Sequence, residues 1–327
     1  MHLIIDLAGA ALQVRNDCFA IRKPDVPLQI IHPMRVSSVT LVQYCSITTA
    51  AAGLAAAYGI PVSLMHAQYP SCTLMVSALP HTGLLRIRQA LFAFFPEANT
   101  TVKNWLQQKL AGQYANIEWL CRIRKIKKPD FELVAEANET MLQKFSQGIE
   151  RQDFSEMEAY WAGIYWQVVK RALNDKAVFA GREQKDCKDK LNPCLNYAYA
   201  ILLNKVEMGL LKLGLDPTIG ILHAEGSHKM PLVYDIMEIW RPTIDQWLLE
   251  WMITLPAETH WQPNSKGVVR LTKDGRKALA NLFYKHALPG KGRGKKGLMA
   301  EIDLVCKQFK DLLLAKPYED FIEIKKL

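Results

Sequence analysis

The sequence predicts an α+β fold, with a small β-rich, sandwich-like domain over residues 1–80 and a larger all-helical domain over 84–327. Three observations carry this. Short apolar runs broken by turn residues fill the first 80 positions, and from about residue 84 apolar residues recur at helical spacing. The switch falls near Ser77 to Thr82, where the domain boundary is expected. With 327 residues, half of them apolar, the chain is long enough for two domains with buried cores.

Leu3 to Leu7, Ala11 to Val14 and Cys18 to Arg22 read as strands, with Arg15-Asn16-Asp17 supplying turn chemistry between the last two. Leu28 to Ile31, Ser38 to Gln43, Pro61 to Met65 and Cys72 to Val76 continue the pattern. One helix interrupts it: Thr48 to Tyr58 is alanine-rich, opens on threonines suited to capping and stops at Gly59. Helices then follow around Leu85 to Phe94, Lys103 to Trp119, Phe131 to Arg151, Glu156 to Leu173 and Leu195 to Leu210. Leu232 to Leu255 is expected as one helix ended by Pro256, and Leu271 to His286 and Leu298 to Leu314 complete the domain.

Seven scattered cysteines without a CxxC pair argue against a structural zinc knuckle and for reduced thiols. The opening Met-His-Leu-Ile-Ile-Asp-Leu reads as a strand rather than a signal peptide, and no apolar run is long enough for a bilayer. A cytoplasmic protein without membrane association is expected. Lys and Arg outnumber Asp and Glu by 41 to 32, a net charge of +9 that favours a polyanionic partner. The cations cluster. Arg122, Arg124, Lys125, Lys127 and Lys128 form one group, and Lys185, Lys188 and Lys190 a second. The third lies in the glycine-alternating segment Pro289 to Gly297, with Lys291, Arg293, Lys295 and Lys296. Any one group reads equally well as a solvated surface; three together point to nucleic acid.

The chemistry concentrates between Gly220 and Pro242. His223 follows Gly220-Ile221-Leu222, and Asp235 and Glu238 stand three apart on an expected helix, among Val233, Ile236, Met237 and Ile239. Two acids on one helical face among apolar neighbours need a compensating cation or metal. Glu158 lies on an earlier helix, and carboxylates plus a histidine suit magnesium or manganese. Plainer readings stand beside this one. Arg241 is placed to pair with Glu238, His223 reads equally as a hydrogen-bonded structural residue, and Trp161, Tyr165 and Trp166 as core.

These residues resemble the CRISPR-associated integrase family, the endonuclease-integrase of spacer acquisition. The likeness rests on Glu158 with Tyr165-Trp166, the helix Asn192 to Leu203, Gly220 to His223, and Asp235-Ile-Met-Glu238-Ile-Trp-Arg241-Pro242. Val269 to Arg276 and Ser46 to Val62 agree as well, so it covers nearly the whole chain. Two positions depart from the pattern: Ala159 replaces a glycine, and Gly163 an arginine that takes no counterpart here. The resemblance implies a divalent ion, Mg2+ or Mn2+, on Glu158, His223 and Glu238, with Asp235 as a further ligand or an acid behind them. It implies a homodimer joined through the N-terminal domains, a small ferredoxin-like companion protein, and DNA substrates: a protospacer and the CRISPR repeat. The reaction is then attack of a DNA 3′-hydroxyl on a phosphodiester, with activity fading at acid pH as protons compete for His223. No GxxxxGK[ST] loop occurs, as suits a transesterification that needs no nucleotide. A catalytically silent DNA-binding scaffold of the same fold is the alternative. A transposon-type integrase calls for an additional DNA-binding domain.

Overall fold

The computed structural model describes the chain except residues 25, 43, 66–71, 75–82, 125–127, 147–150, 174, 176–177, 224–229, 255, 289–296 and 316–327. It divides into two compact units. The first comprises Met1–Phe92, Asn204–Ile219 and the described part of Ile302–Leu327. Its elements begin with strands β1 (His2–Ile5), β2 (Ala11–Arg15), β3 (Cys18–Lys23), β4 (Val26–Ile31), β5 (Ser38–Val42) and β6 (Ser46–Ile47). Helix α1 (Thr49–Ala57), strands β7 (Val62–Met65) and β8 (Cys72–Leu74) and helix α2 (Gly83–Phe92) follow.

Two four-stranded sheets result, ordered β1-β5-β7-β8 and β4-β3-β2-β6. In the first, β5 lies parallel to both β1 and β7, with α1 in the β5–β7 crossover. Thr48 caps α1 by accepting the Ala51 N–H, as its position before an alanine run suggests. In the second sheet, β2 and β3 form a hairpin closed at Arg15–Cys18, and Asn16 and Asp17 carry φ of 51° and 52°. Two successive left-handed residues make the turn that matches strand twist, and Asn and Asp tolerate it best. Ile5, Leu12, Phe19, Val39, Ala55 and Val62 are buried in one core drawn from both sheets and α1. The sandwich-like expectation therefore holds. Buried Asn204 and Lys205 extend this unit, donating to Ser63 Oγ (2.7 Å) and Thr40 Oγ1 (3.1 Å) on neighbouring strands.

The second unit comprises Ala93–Leu203 and Gly220–Glu301. It contains α3 (Pro96–Arg124), α4 (Lys128–Ser146), α5 (Arg151–Leu173) and the first half of α6 (Leu191–Lys212). After these come α7 (Pro231–Met237), a 3-10 turn (Glu238–Trp240), α8 (Arg241–Ile253), β9 (Trp261–Pro263), β10 (Val269–Leu271) and α9 (Lys273–Ala287). Helix α10 (Leu298–Ala315) begins in this unit and continues in the first. Helix α3 packs along α5, α7, the 3-10 turn and α8.

Two sequence expectations are corrected here. The region after residue 84 is mostly but not wholly helical, because β9 and β10 pair antiparallel. Asn264 builds their turn by accepting the N–H groups of Lys266 and Val268 through its side chain, ahead of Gly267 at φ 74°. The single helix expected over Leu232 to Leu255 is three pieces. Pro242 lacks the N–H that would bond the Glu238 carbonyl, and the chain tightens into the 3-10 turn there. The expected domain boundary falls on residues outside the description. The change of period marks a change in local structure, whereas compactness groups α2, residues 204–219 and most of α10 with the strands. Among the described residues no helix is long and apolar enough to cross a membrane, and Cys18, Cys45, Cys121, Cys187, Cys194 and Cys306 are free thiols.

Candidate active site

Three helical segments of the second unit each turn a polar stripe inward. Helix α3 presents Lys109, Gln113 and Asn116, all at most 4% exposed. Helix α5 presents Glu158 and Tyr165, and the broken helix presents Asp235, Glu238, Arg241 and Asp245. Within each set the spacing is three, four or seven, which keeps the side chains on one face. Close approach is secured by Gly112. A Cβ built there would stand 2.8 Å from Pro242 Cβ, so any larger residue would push α3 off the segment that carries Glu238.

The Lys109 ammonium lies between two glutamates. It contacts Glu158 Oε1 and stands 2.5 Å from Glu238 Oε2. Arg241 closes the cluster, with Nη1 2.8 Å from Glu238 Oε1, the pairing that the three-residue spacing suggested. Glu238 is fully buried, yet neither of its oxygens receives an aligned hydrogen bond. Burial alone would push its carboxyl up, but Arg241 and then Lys109 outweigh that and hold it below the usual range.

Asp235 does a different job. Its Oδ2 accepts the N–H of Ile221 (2.6 Å) and Leu222 (3.1 Å), and its Oδ1 accepts the N–H of His223 (3.0 Å). The same Oδ1 lies 2.6 Å from His223 Nδ1. An ionised carboxylate only accepts, so Nδ1 carries the proton, and Nε2 has no hydrogen-bond partner among the described residues. The hydrogen bond to Asp235 raises the imidazole above its ordinary value against the effect of burial, and the charges of Asp235, Glu238 and Glu158 add to it. Gly220 permits this closure, since a Cβ there would stand 2.6 Å from Pro231 Cβ and 3.2 Å from Asp235 Oδ2. It is this carboxylate that ties the Gly220 to His223 segment to α7; residues 224–229, which follow His223, lie outside the described residues.

The expected three-ligand grip is thus only partly assembled. Glu158 and Glu238 share one cation, but that cation is an ammonium, and His223 is paired with Asp235. Among the described residues no three His, Cys, Asp or Glu side chains stand as a ready metal nest. The donor chemistry still fits a divalent ion: two carboxylates, one with buried oxygens lacking aligned hydrogen bonds, and an imidazole whose Nε2 has no partner among the described residues. Asp235, with both oxygens engaged, suits the place of an acid behind the histidine rather than a ligand.

A cleft of about 380 Å³ opens beside the cluster, lined by Lys109, Glu158, Trp166, Arg182, Tyr199 and Arg241 among others. The guanidiniums of Arg182 and Arg241 flank the Tyr199 ring at 5.6 and 5.3 Å. Arg182 is held by Asn192 Oδ1 (2.9 Å) and Asn196 Oδ1 (2.8 Å). This wall suits an anionic ligand. Sequence reasoning missed Lys109, Arg182 and Tyr199. For Lys109 a signal existed, since it stands with Gln113 and Asn116 on the stripe that also carries Trp105, Leu106 and Leu110.

Of the expected nucleic-acid contacts, Arg122, Lys185 and Lys188 are exposed. Lys190 is engaged elsewhere, 2.7 Å from Glu258 and 5.8 Å above the Trp261 ring. The side chain of Arg124, and Lys125, Lys291, Arg293, Lys295 and Lys296, lie outside the description. Trp161 and Tyr165 are buried core, as expected, while Trp166 reaches the cleft.

Comparison with known proteins bears on the family and the fold. A CRISPR-associated endonuclease Cas1 of Saccharolobus solfataricus is 29% identical over 244 residues, 74% of this chain and 72% of the relative. A casposase bound to integration product matches with a TM-score of 0.77 at 18% identity, over 97% of this chain and 91% of the other. A chain of a Cas6-RT-Cas1–Cas2 complex matches with a TM-score of 0.78 at 18% identity, over 98% of this chain and 36% of that longer one. The sequence model of CRISPR associated protein Cas1 matches residues 3–285, so the chain belongs to the Cas1 family of endonuclease-integrases.

Proposed function

We propose that this protein is a divalent-metal-dependent DNA endonuclease and integrase that inserts protospacer DNA into a CRISPR array. The observation that carries the reading is the convergence of Glu158 and Glu238 on a single cation beside a histidine held by Asp235, in a chain of this family. Glu158, His223 and Glu238 would hold Mg2+ or Mn2+, and Asp235 would fix the tautomer of His223. When bound, the ion supplies Lewis-acid stabilisation of a phosphodiester and of the oxygens that attack and leave it. Arg182, Arg241 and Lys109 supply fixed positive charge along the cleft, where phosphates would lie. In the reaction a DNA 3′-oxygen forms a new bond to phosphorus as the resident P–O bond breaks. The attacking hydroxyl loses a proton and the leaving oxygen gains one, so no nucleotide is consumed. Water in place of the hydroxyl gives endonuclease cleavage from the same site.

The chain would act as a homodimer through its strand-rich unit. In support, the edge strand β4 exposes Val26, Leu28 and Ile30 in an apolar row. A small ferredoxin-like companion would complete the assembly, and a structural neighbour was solved with Cas2. Exposed Arg122, Lys185 and Lys188 are proposed to track the DNA backbone in a cytoplasmic setting.

A strand-transfer assay with labelled protospacer and a repeat-containing target tests the reading. Joined product should require Mg2+ or Mn2+ and disappear in Glu158→Ala and His223→Ala while DNA binding persists. Undiminished joining in chelator, or by either variant, would overturn it. The silent-scaffold alternative draws on Lys109, because an internal ammonium satisfies both glutamates without any metal.

A further inference from the structure

Lys109 occupies the place between the two glutamates that a metal ion would need. It lies on the buried face of α3, 4% exposed, and its ammonium contacts both Glu158 and Glu238. Arg241 neutralises the second oxygen of Glu238. Two carboxylates and two cations already balance, so the cluster is neutral without a divalent ion. A dication on the same carboxylates would stand within a few ångströms of the ammonium, where like charges repel strongly. Both cannot hold the position together.

We propose that Lys109 is an internal counter-ion, which keeps Glu158 and Glu238 in register in the metal-free protein and is expelled when a divalent ion binds. Metal affinity is then set by a competition inside the protein. The inference rests on the metal-site reading given above. The expelled ammonium has a destination, because Lys109 also lines the cleft beside Glu158. A flexible four-carbon stem allows the swing, and the charge that filled the site becomes a charge facing the phosphates. This also accounts for a family member in which acids and histidine do not form a ready nest among the described residues.

The test is Mn2+ titration of the DNA-free, full-length protein, with free ion read by electron paramagnetic resonance. Lys109→Met keeps the bulk and removes the charge, and the Glu158→Ala/Glu238→Ala double variant marks binding outside the site. Lys109→Met should bind Mn2+ about tenfold or more tightly than the natural protein, since the competing charge is gone. In chelator it should melt below the natural protein, with two carboxylates left facing each other, and saturating Mn2+ should narrow the gap. Equal or weaker affinity in Lys109→Met would overturn the inference and leave the metal site standing. No site-specific binding by either protein would overturn the metal site and the inference with it. Should Lys109→Met fail to fold, acetylation of the natural protein decides. Labelling at Lys109, read by mass spectrometry, should rise several-fold on adding Mn2+, and unchanged labelling overturns the inference.

Discussion

Two buried polar clusters sit seven residues apart on the same stretch of chain, at Glu238 and Asp245, and both carboxylates are fully buried. Their partners differ. Asp245 accepts hydrogen bonds from the hydroxyls of Tyr165 (3.1 Å) and Tyr199. Asn116 then bonds the Tyr165 oxygen (3.2 Å) and the Pro242 carbonyl (2.8 Å). Burial and the charge of Asp245 hold both phenols well above their ordinary range, so they stay donors. Glu238 instead faces an ammonium and a guanidinium, and its oxygens lack aligned hydrogen bonds. Burial is the same, so burial does not mark function. What separates the Asp245 brace from the proposed reactive site is whether the polar atoms are satisfied by groups fixed in the fold or by cations that can be exchanged.

Breaking the first cluster should cost most in chemistry. Glu238→Ala is expected to lower strand transfer by about a thousandfold or more, the scale of losing a group that stabilises the reacting phosphate, read in single-turnover assays. Replacing the acid behind the histidine tests whether Asp235 acts through His223. Asp235→Asn should lower turnover by about ten- to a hundredfold, the usual cost of an altered partner behind a ligating residue. The His223 titration should also move down toward the ordinary imidazole value in NMR spectra; an unmoved titration would show that Asp235 holds only the backbone.

The second cluster should speak through stability rather than activity. Burial pushes Asp245 up to about 6, against the opposing hydrogen bonds of Tyr199 and Tyr165. A carboxyl whose folded pKa is raised binds more protons folded than unfolded, so its contribution is full at low pH and is lost as pH rises toward about 6. Relative to Asp245→Asn, the natural protein should lose about 2 kcal/mol of unfolding free energy between pH 4 and 6.5. Parallel curves for the two proteins would refute this. Tyr165→Phe should cost about 1–3 kcal/mol in denaturant melts while strand transfer stays within a few-fold. The smallest effect belongs to the surface. Lys185→Ala with Lys188→Ala should weaken DNA binding and lower the slope of log affinity against log salt by up to about two, without altering site chemistry.

Much of this was legible in the chain. Period 2 and period 3.6 located most strands and helices, Asn16-Asp17 announced its hairpin, and Thr48 announced the start of α1, because these signals are local backbone chemistry. Motif order and spacing named Glu158, His223, Asp235 and Glu238. The break at Glu238 was missed although Pro242 was in view, because the apolar pattern runs through it. The β9–β10 hairpin was missed because strands of three residues carry too little alternation to register.

Residue order alone is enough to nominate candidate residues and to set the periodicity of most segments, since both depend on residue type and near-neighbour spacing. What those residues meet is fixed by the packing of distant segments. That Lys109 reaches two acids forty-nine and one hundred twenty-nine positions away, and that Asp235 serves His223, follow from how α3, α5 and the broken helix pack. Such contacts are set by packing across long stretches of chain, through a glycine such as Gly112 that lets two segments touch, and no local pattern encodes that distance.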